Sequence, residues 1–259
     1  MSPADPFERN REAWNGQTSR WTMPVPPETV AKARKGDISL LLTPTKPVPR
    51  DWLGPIKGQR ILCLASGGGQ QAPLLAAYGG VVTSLDASPV QLGRDREVAE
   101  RDGLELRCEE GDMRDLSRFT DGSFDLVFHP CSNCFVPDPR PVWREAARVL
   151  RDGGVLLAGF CLPTIWLVDP EKDEKGVIDV RFKLPFSDEE QLPADMLARL
   201  QANGEPLSFG HTLETQLAGQ LEAGLVLTGF FEDTWEPGVS AMGDRVALFA
   251  ATRAVKTRL

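Results

Sequence analysis

The sequence predicts an α/β fold. It reads as a doubly wound, mostly parallel seven-stranded sheet with helices on both faces and an antiparallel last strand, plus an N-terminal helical arm and an insertion after the fifth strand. Three observations carry this. Short apolar runs alternate with helical patterns from Arg60 to Phe160. A glycine-rich turn, Ser66-Gly67-Gly68-Gly69, joins the first run to the helix after it. Two β-rich runs, 225–231 and 245–252, lie close together at the end of the chain, as antiparallel partners do.

Taken in order, residues 1–22 read as an amphipathic helix around Arg9, Trp14 and Trp21. Residues 23–58 hold seven prolines, from Pro24 to Pro55, and read as an irregular arm with one short helix near 28–35. Residues 61–65 form a short apolar strand. Residues 70–78 form a helix that tolerates Pro73 in its first turn. Residues 81–85 are β-branched and apolar, suited to a buried strand. Ser88 caps the next helix, with Pro89 at the first helical position and Gln91 three residues past the cap, the pattern of a capping box. Residues 104–108 and 124–128 are the third and fourth strands. Val142, Ala146, Val149 and Leu150 share one face of a helix that stops at Asp152-Gly153-Gly154, and 155–160 is the fifth strand. The alternation then breaks. Residues 161–210 contain polar and proline-rich segments, an alternating run at 177–184 and a helix near 188–201, and read as an insertion that lids the substrate. A helix at 213–223 precedes the closing strands. The chain thus divides into an arm or cap, 1–57, and a domain, 58–259.

Composition narrows the function. With 41% hydrophobic and 25% charged residues the chain is ordinary globular protein, and its net charge of -8 with no long basic run speaks against a nucleic-acid partner and for a small molecule. No apolar run approaches the roughly 18 residues of a membrane span, so no membrane partner is expected. The N-terminus lacks a signal-peptide pattern, and the five cysteines are odd in number. A cytoplasmic protein with reduced thiols is expected.

Three clusters follow three successive strands at their carboxyl ends, where open α/β sheets bind ligands. The glycine turn lets a ligand approach backbone N–H groups. Asp86 can accept hydrogen bonds from both hydroxyls of a ribose. In Gly111-Asp112-Met113, a carboxylate and a backbone N–H suit an adenine edge. Each has a plainer reading: a tight turn, a residue preceding the Ser88 cap, a solvated loop acid. Gly67-x-Gly69-x-x-Ala72 with Asp86 also fits the relaxed dinucleotide fingerprint, which leaves a NAD(P)-dependent oxidoreductase as an alternative.

The ordered set of residues 61–69, 82–86, Gly111-Asp112-Met113, 124–128 and 143–154 resembles the class I, Rossmann-like S-adenosylmethionine-dependent methyltransferases over about residues 58–160, and more loosely over 212–252. The resemblance implies S-adenosylmethionine as cofactor, S-adenosylhomocysteine as product, and in-line methyl transfer to a small-molecule acceptor. It places Gly67 and Gly69 at the methionine moiety, Asp86 at the ribose, and Asp112 with Met113 at the adenine, with Ser66 and Ala87 also among the cofactor-binding residues. His129 would lie near the transferred methyl, as a cofactor contact and candidate general base. Two residues depart from the family pattern: Cys63 stands where an acid is common and Ala65 where glycine is. They keep open a protein that binds the cofactor without transferring anything.

Further candidates surround this set. Ser132 and Asn133, in the loop after the fourth strand, offer hydrogen bonds to substrate. Trp14 closes over the site or simply packs its helix. His211 contacts substrate or flanks the cap at Thr212. Cys131-x-x-Cys134 lacks the second cysteine or histidine pair of a zinc site, and no helix opens directly after it as a redox motif requires, so no metal is expected.

Overall fold

The computed structural model describes residues 6–17 and 22–257; Trp21 lies outside the described residues. Seven strands build the sheet: β1 (Arg60–Leu64), β2 (Val81–Asp86), β3 (Leu106–Glu110), β4 (Phe124–His129), β5 (Leu150–Cys161), β6 (Leu225–Asp233) and β7 (Phe249–Lys256). Their order is β3-β2-β1-β4-β5-β7-β6. The first five pair in parallel, and β7 runs antiparallel to both β5 and β6. The fold class is the one the sequence predicts.

The period of two along a strand explains the layering. Ile61 and Cys63 of β1 face one core cluster, with Leu126 and Phe128 of β4. Leu62 and Leu64 face the other, with Val127. Helix α5 (Arg140–Val149) covers the second face through Val142, Trp143, Ala146 and Val149. The first face is covered by α3 (Gln71–Ala77) and by the proline-rich arm, whose α2 (Pro27–Arg34) docks there. Leu40, Leu42, Val48, Trp52 and Ile56 of the arm share that cluster, each worth about 1.5–3 kcal/mol of burial. Further helices include α1 (Phe7–Gly16), α4 (Pro89–Asp102) and α6 (Ala194–Ala202).

Local chemistry moves some boundaries. β3 begins two residues later than expected, at Leu106. The helix expected near 188–201 breaks at Pro193 into Asp188–Gln191 and α6, because Leu192 before the proline takes an extended conformation (ψ 141°). The alternating run at 177–184 forms no strand and contributes one isolated bridge, Val168 to Val180. The capping box is half made. Ser88 Oγ accepts from the Gln91 N–H at 3.1 Å, but Asp86 takes the Ser88 N–H at 2.9 Å, so the Gln91 side chain turns instead to the Trp14 carbonyl at 2.6 Å. No helix among the described residues is long and apolar enough to cross a membrane.

Candidate active site

The loops at the carboxyl ends of β1 to β4 open into a cavity of about 330 Å³, within the range of small-molecule sites. Ala65, Ser66 and Gly67 line it after β1, Asp86 and Ala87 after β2, and Asp112, Met113 and Arg114 after β3. β1 and β2 are in register from Arg60–Val81 to Leu64–Leu85, which sets the glycine turn beside Asp86. The Asp86 carboxylate accepts the Gly67 N–H at 3.0 Å and the Ser88 N–H at 2.9 Å. Burial pushes its pKa up, and those N–H groups oppose the shift. Backbone N–H groups, that of Ala87 among them, take up part of a carboxylate's four acceptor positions, and the rest can serve hydroxyl donors. Ser66 Oγ is buried without a partner, an orphan that a ligand can satisfy. The Asp112 carboxylate is held by Arg114, through its N–H at 2.8 Å and its Nε at 2.8 Å.

Helix α1 closes this end. Phe7, Asn10, Arg11 and Trp14 line the cavity, and the Arg114 guanidinium sits 5.9 Å from the Phe7 ring. Asn10 fastens the helix: its Nδ2 donates to the Phe135 and Leu207 carbonyls, each at 3.0 Å, and its Oδ1 accepts the Leu207 N–H at 2.7 Å. Trp14 meets Phe135 edge-on at 5.0 Å.

The other end is apolar. Leu41, Leu42, Thr43 and Pro44 of the arm form it with Cys131, Cys134, Cys161, Ile165, Trp235 and Phe249. The arm segment is clamped there, since the Asp233 carboxylate accepts the N–H groups of Thr45 at 2.9 Å and Lys46 at 3.0 Å. Contact with Cys161 and burial push the Cys134 thiol up; contact with Cys131 and burial push Cys161 up, against the opposing contact with Cys134. Both stay protonated near neutrality. Among the described residues no group of three or more His, Cys, Asp or Glu is arranged to hold a metal ion.

Of the residues singled out by sequence, Ser66, Gly67, Asp86, Ala87, Asp112, Met113, Trp14 and Ser132 line the cavity. Four, Gly69, His129, Asn133 and His211, are not among the lining residues. His129 is fully buried, with Nδ1 donating to the Leu64 carbonyl at 2.9 Å and its ring 5.8 Å from that of Trp143. Burial lowers its pKa to about 4, so it is neutral near pH 7, and its Nε2 is buried without a partner. Asn133 spends its amide on Gln216, Nδ2 to Oε1 at 2.9 Å, and His211 donates from Nε2 to the Asn133 carbonyl at 3.2 Å. Gly69 lies under the arm: its carbonyl accepts the Val25 N–H at 2.8 Å, and a Cβ there would stand 2.9 Å from Pro24 Cα. Sequence reasoning missed the 41–44 segment, Arg114, Cys161 and Trp235. The arm carries no periodicity to reveal itself. Gln91 was visible, but as half of a cap.

Residues 62–158 match the family model described as a methyltransferase domain. Over 250 residues the chain is 46% identical to the uncharacterized methyltransferase YbaJ of Bacillus subtilis, covering 95% of this chain and 97% of YbaJ. Two solved structures share the fold. A S-adenosylmethionine-dependent methyltransferase from Mesorhizobium loti has a TM-score of 0.63 at 20% identity, over 80% of this chain and 95% of its own. Geranyl diphosphate C-methyltransferase from Streptomyces coelicolor, solved with geranyl diphosphate, Mg2+ and S-adenosyl-L-homocysteine, has a TM-score of 0.61 at 14% identity, over 99% of this chain and 100% of its own. The glycine turn alone suits two cofactors, but a relative matched across nearly its whole length decides between them: the chain belongs to the class I S-adenosylmethionine-dependent methyltransferases.

Proposed function

We propose that this methyltransferase moves a methyl group from S-adenosylmethionine to a small, largely apolar acceptor by in-line displacement. The observation that carries the reading is one cavity that joins the Gly67, Asp86 and Asp112 end to an apolar chamber. The unpartnered Ser66 hydroxyl and the spare acceptor positions of Asp86 fit a polar nucleoside ligand. On this reading Asp86 holds the ribose, Asp112 and Met113 the adenine, and Ser66 and Gly67 the methionine end. Bound there, the cofactor supplies an electrophilic methyl group on its sulfonium sulfur.

The chain's own work is then alignment and exclusion of water, effects worth several kcal/mol. Helix α1 shuts the cofactor end, and the 41–44 segment and Trp235 enclose the acceptor end. Among the described residues, the chamber between Leu41 and Phe249 is lined by thiols and hydroxyls but by no imidazole or carboxylate. The acceptor therefore brings a nucleophile that needs no strong base from the protein.

Calorimetric titration tests the cofactor assignment. S-adenosylhomocysteine is expected to bind at micromolar levels and NADH not at all. Asp86→Ala is expected to weaken the former by about 1–3 kcal/mol, through loss of charged hydrogen bonds. Unchanged affinity overturns the ribose assignment. Incubating cell extract with methyl-labelled cofactor tests the acceptor: label in an apolar small molecule is expected, and label only in protein or nucleic acid rejects it.

A further inference from the structure

Helix α4 buries Gln91, Leu92, Asp95, Val98 and Ala99 along one face. A carboxylate in the middle of such a face is unexpected, and Asp95 is 0% exposed. Its two oxygens show why it is there. Oδ1 accepts the Gly69 N–H at 2.7 Å, and Oδ2 accepts the Ser84 hydroxyl at 2.7 Å. The neighbouring N–H groups of the turn are held from the same side, Gly68 by the Gln91 carbonyl at 3.0 Å and Gly67 by Asp86 at 3.0 Å. Gly69 has φ +77°, a conformation open to glycine, and the arm presses on it from above at Pro24. Strand β1 supplies no charge beneath this residue, because position 63 is a buried cysteine.

We propose that Asp95 is a positioning residue for methyl transfer: from α4 it fixes the glycine turn in the shape that receives S-adenosylmethionine. The inference rests on the reading of Ser66 and Gly67 as the methionine end of the cofactor site. Asp95 acts through Gly69 and is not among the residues lining the cavity.

The surroundings make this grip sensitive to pH. Facing Asp95 are Cys63 on β1, Ser84 and Asp86 on β2, Cys108 on β3 and Arg96 on α4 itself. Burial lifts the Asp95 pKa to about 7, aided by Asp86 and opposed by the hydrogen bonds from Ser84 and Gly69 and by Arg96. Above that value a full carboxylate holds the Gly69 N–H. Below it the group is a neutral acid and a weaker acceptor. Affinity for the cofactor is therefore lost as pH falls through about 7.

The test is S-adenosylhomocysteine affinity from pH 6 to 8 for the parent, Asp95→Asn and Ser84→Ala, with thermal melts run alongside to show that each is folded. The parent is expected to bind several-fold more weakly at pH 6 than at pH 8. Asp95→Asn keeps the shape without the charge; it is expected to bind weakly across the range with a flatter profile, and to raise KM for the cofactor more than it lowers kcat. Ser84→Ala removes a donor to the charged form and is expected to move the midpoint upward. A flat parent profile, or a folded Asp95→Asn with the parent's affinity and slope, overturns the role of Asp95. A folded parent that binds no S-adenosylhomocysteine at any pH overturns the cofactor site itself and the inference with it.

Discussion

Ala65 is the residue where the glycine motif departs from its family pattern, and it carries φ +48°. Its N–H donates to the Leu85 carbonyl at 2.7 Å, so the neighbouring strand imposes that conformation. The left-handed region costs alanine roughly 1–2 kcal/mol. Ala65→Gly relieves this but adds freedom to the unfolded chain, worth about 0.4–1 kcal/mol, so urea unfolding is expected to place it within about 1 kcal/mol of the parent. Ala65→Val brings a β-branched side chain into the same backbone and is expected to lose about 1–3 kcal/mol; an unshifted midpoint for the valine variant rejects the strain. His129 allows a second prediction. Its folded pKa is about 4, below the ordinary 6.5, so as pH falls below 6.5 the unfolded chain takes up the proton first. Stability present above pH 6.5 drains away toward pH 4, by on the order of 3 kcal/mol at about 1.4 kcal/mol per unit. Asp95, with its raised pKa, contributes in the opposite direction over the acid side of pH 7. Comparison with a variant isolates the histidine: His129→Asn is expected to start less stable at pH 7 but to lose less than the parent between pH 6.5 and 4. Equal losses reject the assignment.

Among the elements, α1 shows most clearly how tertiary contact replaces local propensity. It is ten residues long and has no side-chain cap at Pro6, too short to be stable alone. Asn10 bonds it to the loop after β4 and to Leu207 of the insertion, while Gln91 holds its last turn. Asn10→Ala leaves a buried N–H and two carbonyls unpaired, a loss of about 1–3 kcal/mol. The expected outcome is faster amide exchange across residues 7–16 and roughly tenfold faster release of S-adenosylhomocysteine. Exchange that speeds up with no change in release would detach the helix from cofactor retention. The same contrast governs what could be read from sequence. β1, β2, β4 and α5 were legible because their alternation or 3.6-residue spacing is a local record of which face is buried. The arm was not, since Leu42, Trp52 and Ile56 gain their order from Phe128 and Leu157 far along the chain. At the site, Asp86 and Gly67 follow from strand ends in register. His129 and Asn133 went the other way because the Leu64 carbonyl and Gln216, 65 and 83 residues distant, claimed them first. Asp95 left a legible sign, a carboxylate on an apolar helical face, that the capping pattern around Gln91 overshadowed.

At the scale of the molecule, the acceptor end belongs to no single element. The 41–44 segment, the loop after β4, the end of β5, Trp235 and Phe249 meet there from widely separated parts of the chain. Two fastenings set its shape: the Cys131 N–H donates to the Leu42 carbonyl at 3.0 Å, and Asp233 holds Thr45 and Lys46. Gly159 of β5 makes the seat, because any Cβ there would run into the Leu42 carbonyl. Backbone cannot yield as a flexible side chain does, so Gly159→Ala must lift the segment off the sheet. The expected stability loss is about 1–3 kcal/mol, the usual range for overpacking. The cofactor end stands on the carboxyl ends of β1, β2 and β3, whereas this contact is on β5, so affinity for S-adenosylhomocysteine is expected to stay within about threefold of the parent, less than 1 kcal/mol. Transfer of labelled methyl into small molecules is expected to fall by tenfold or more, since small displacements of a substrate wall cost reactions that depend on alignment. A variant that loses cofactor affinity in step with transfer would show the two ends to be one mechanical unit. A variant with unchanged transfer would remove the 41–44 segment from the acceptor wall.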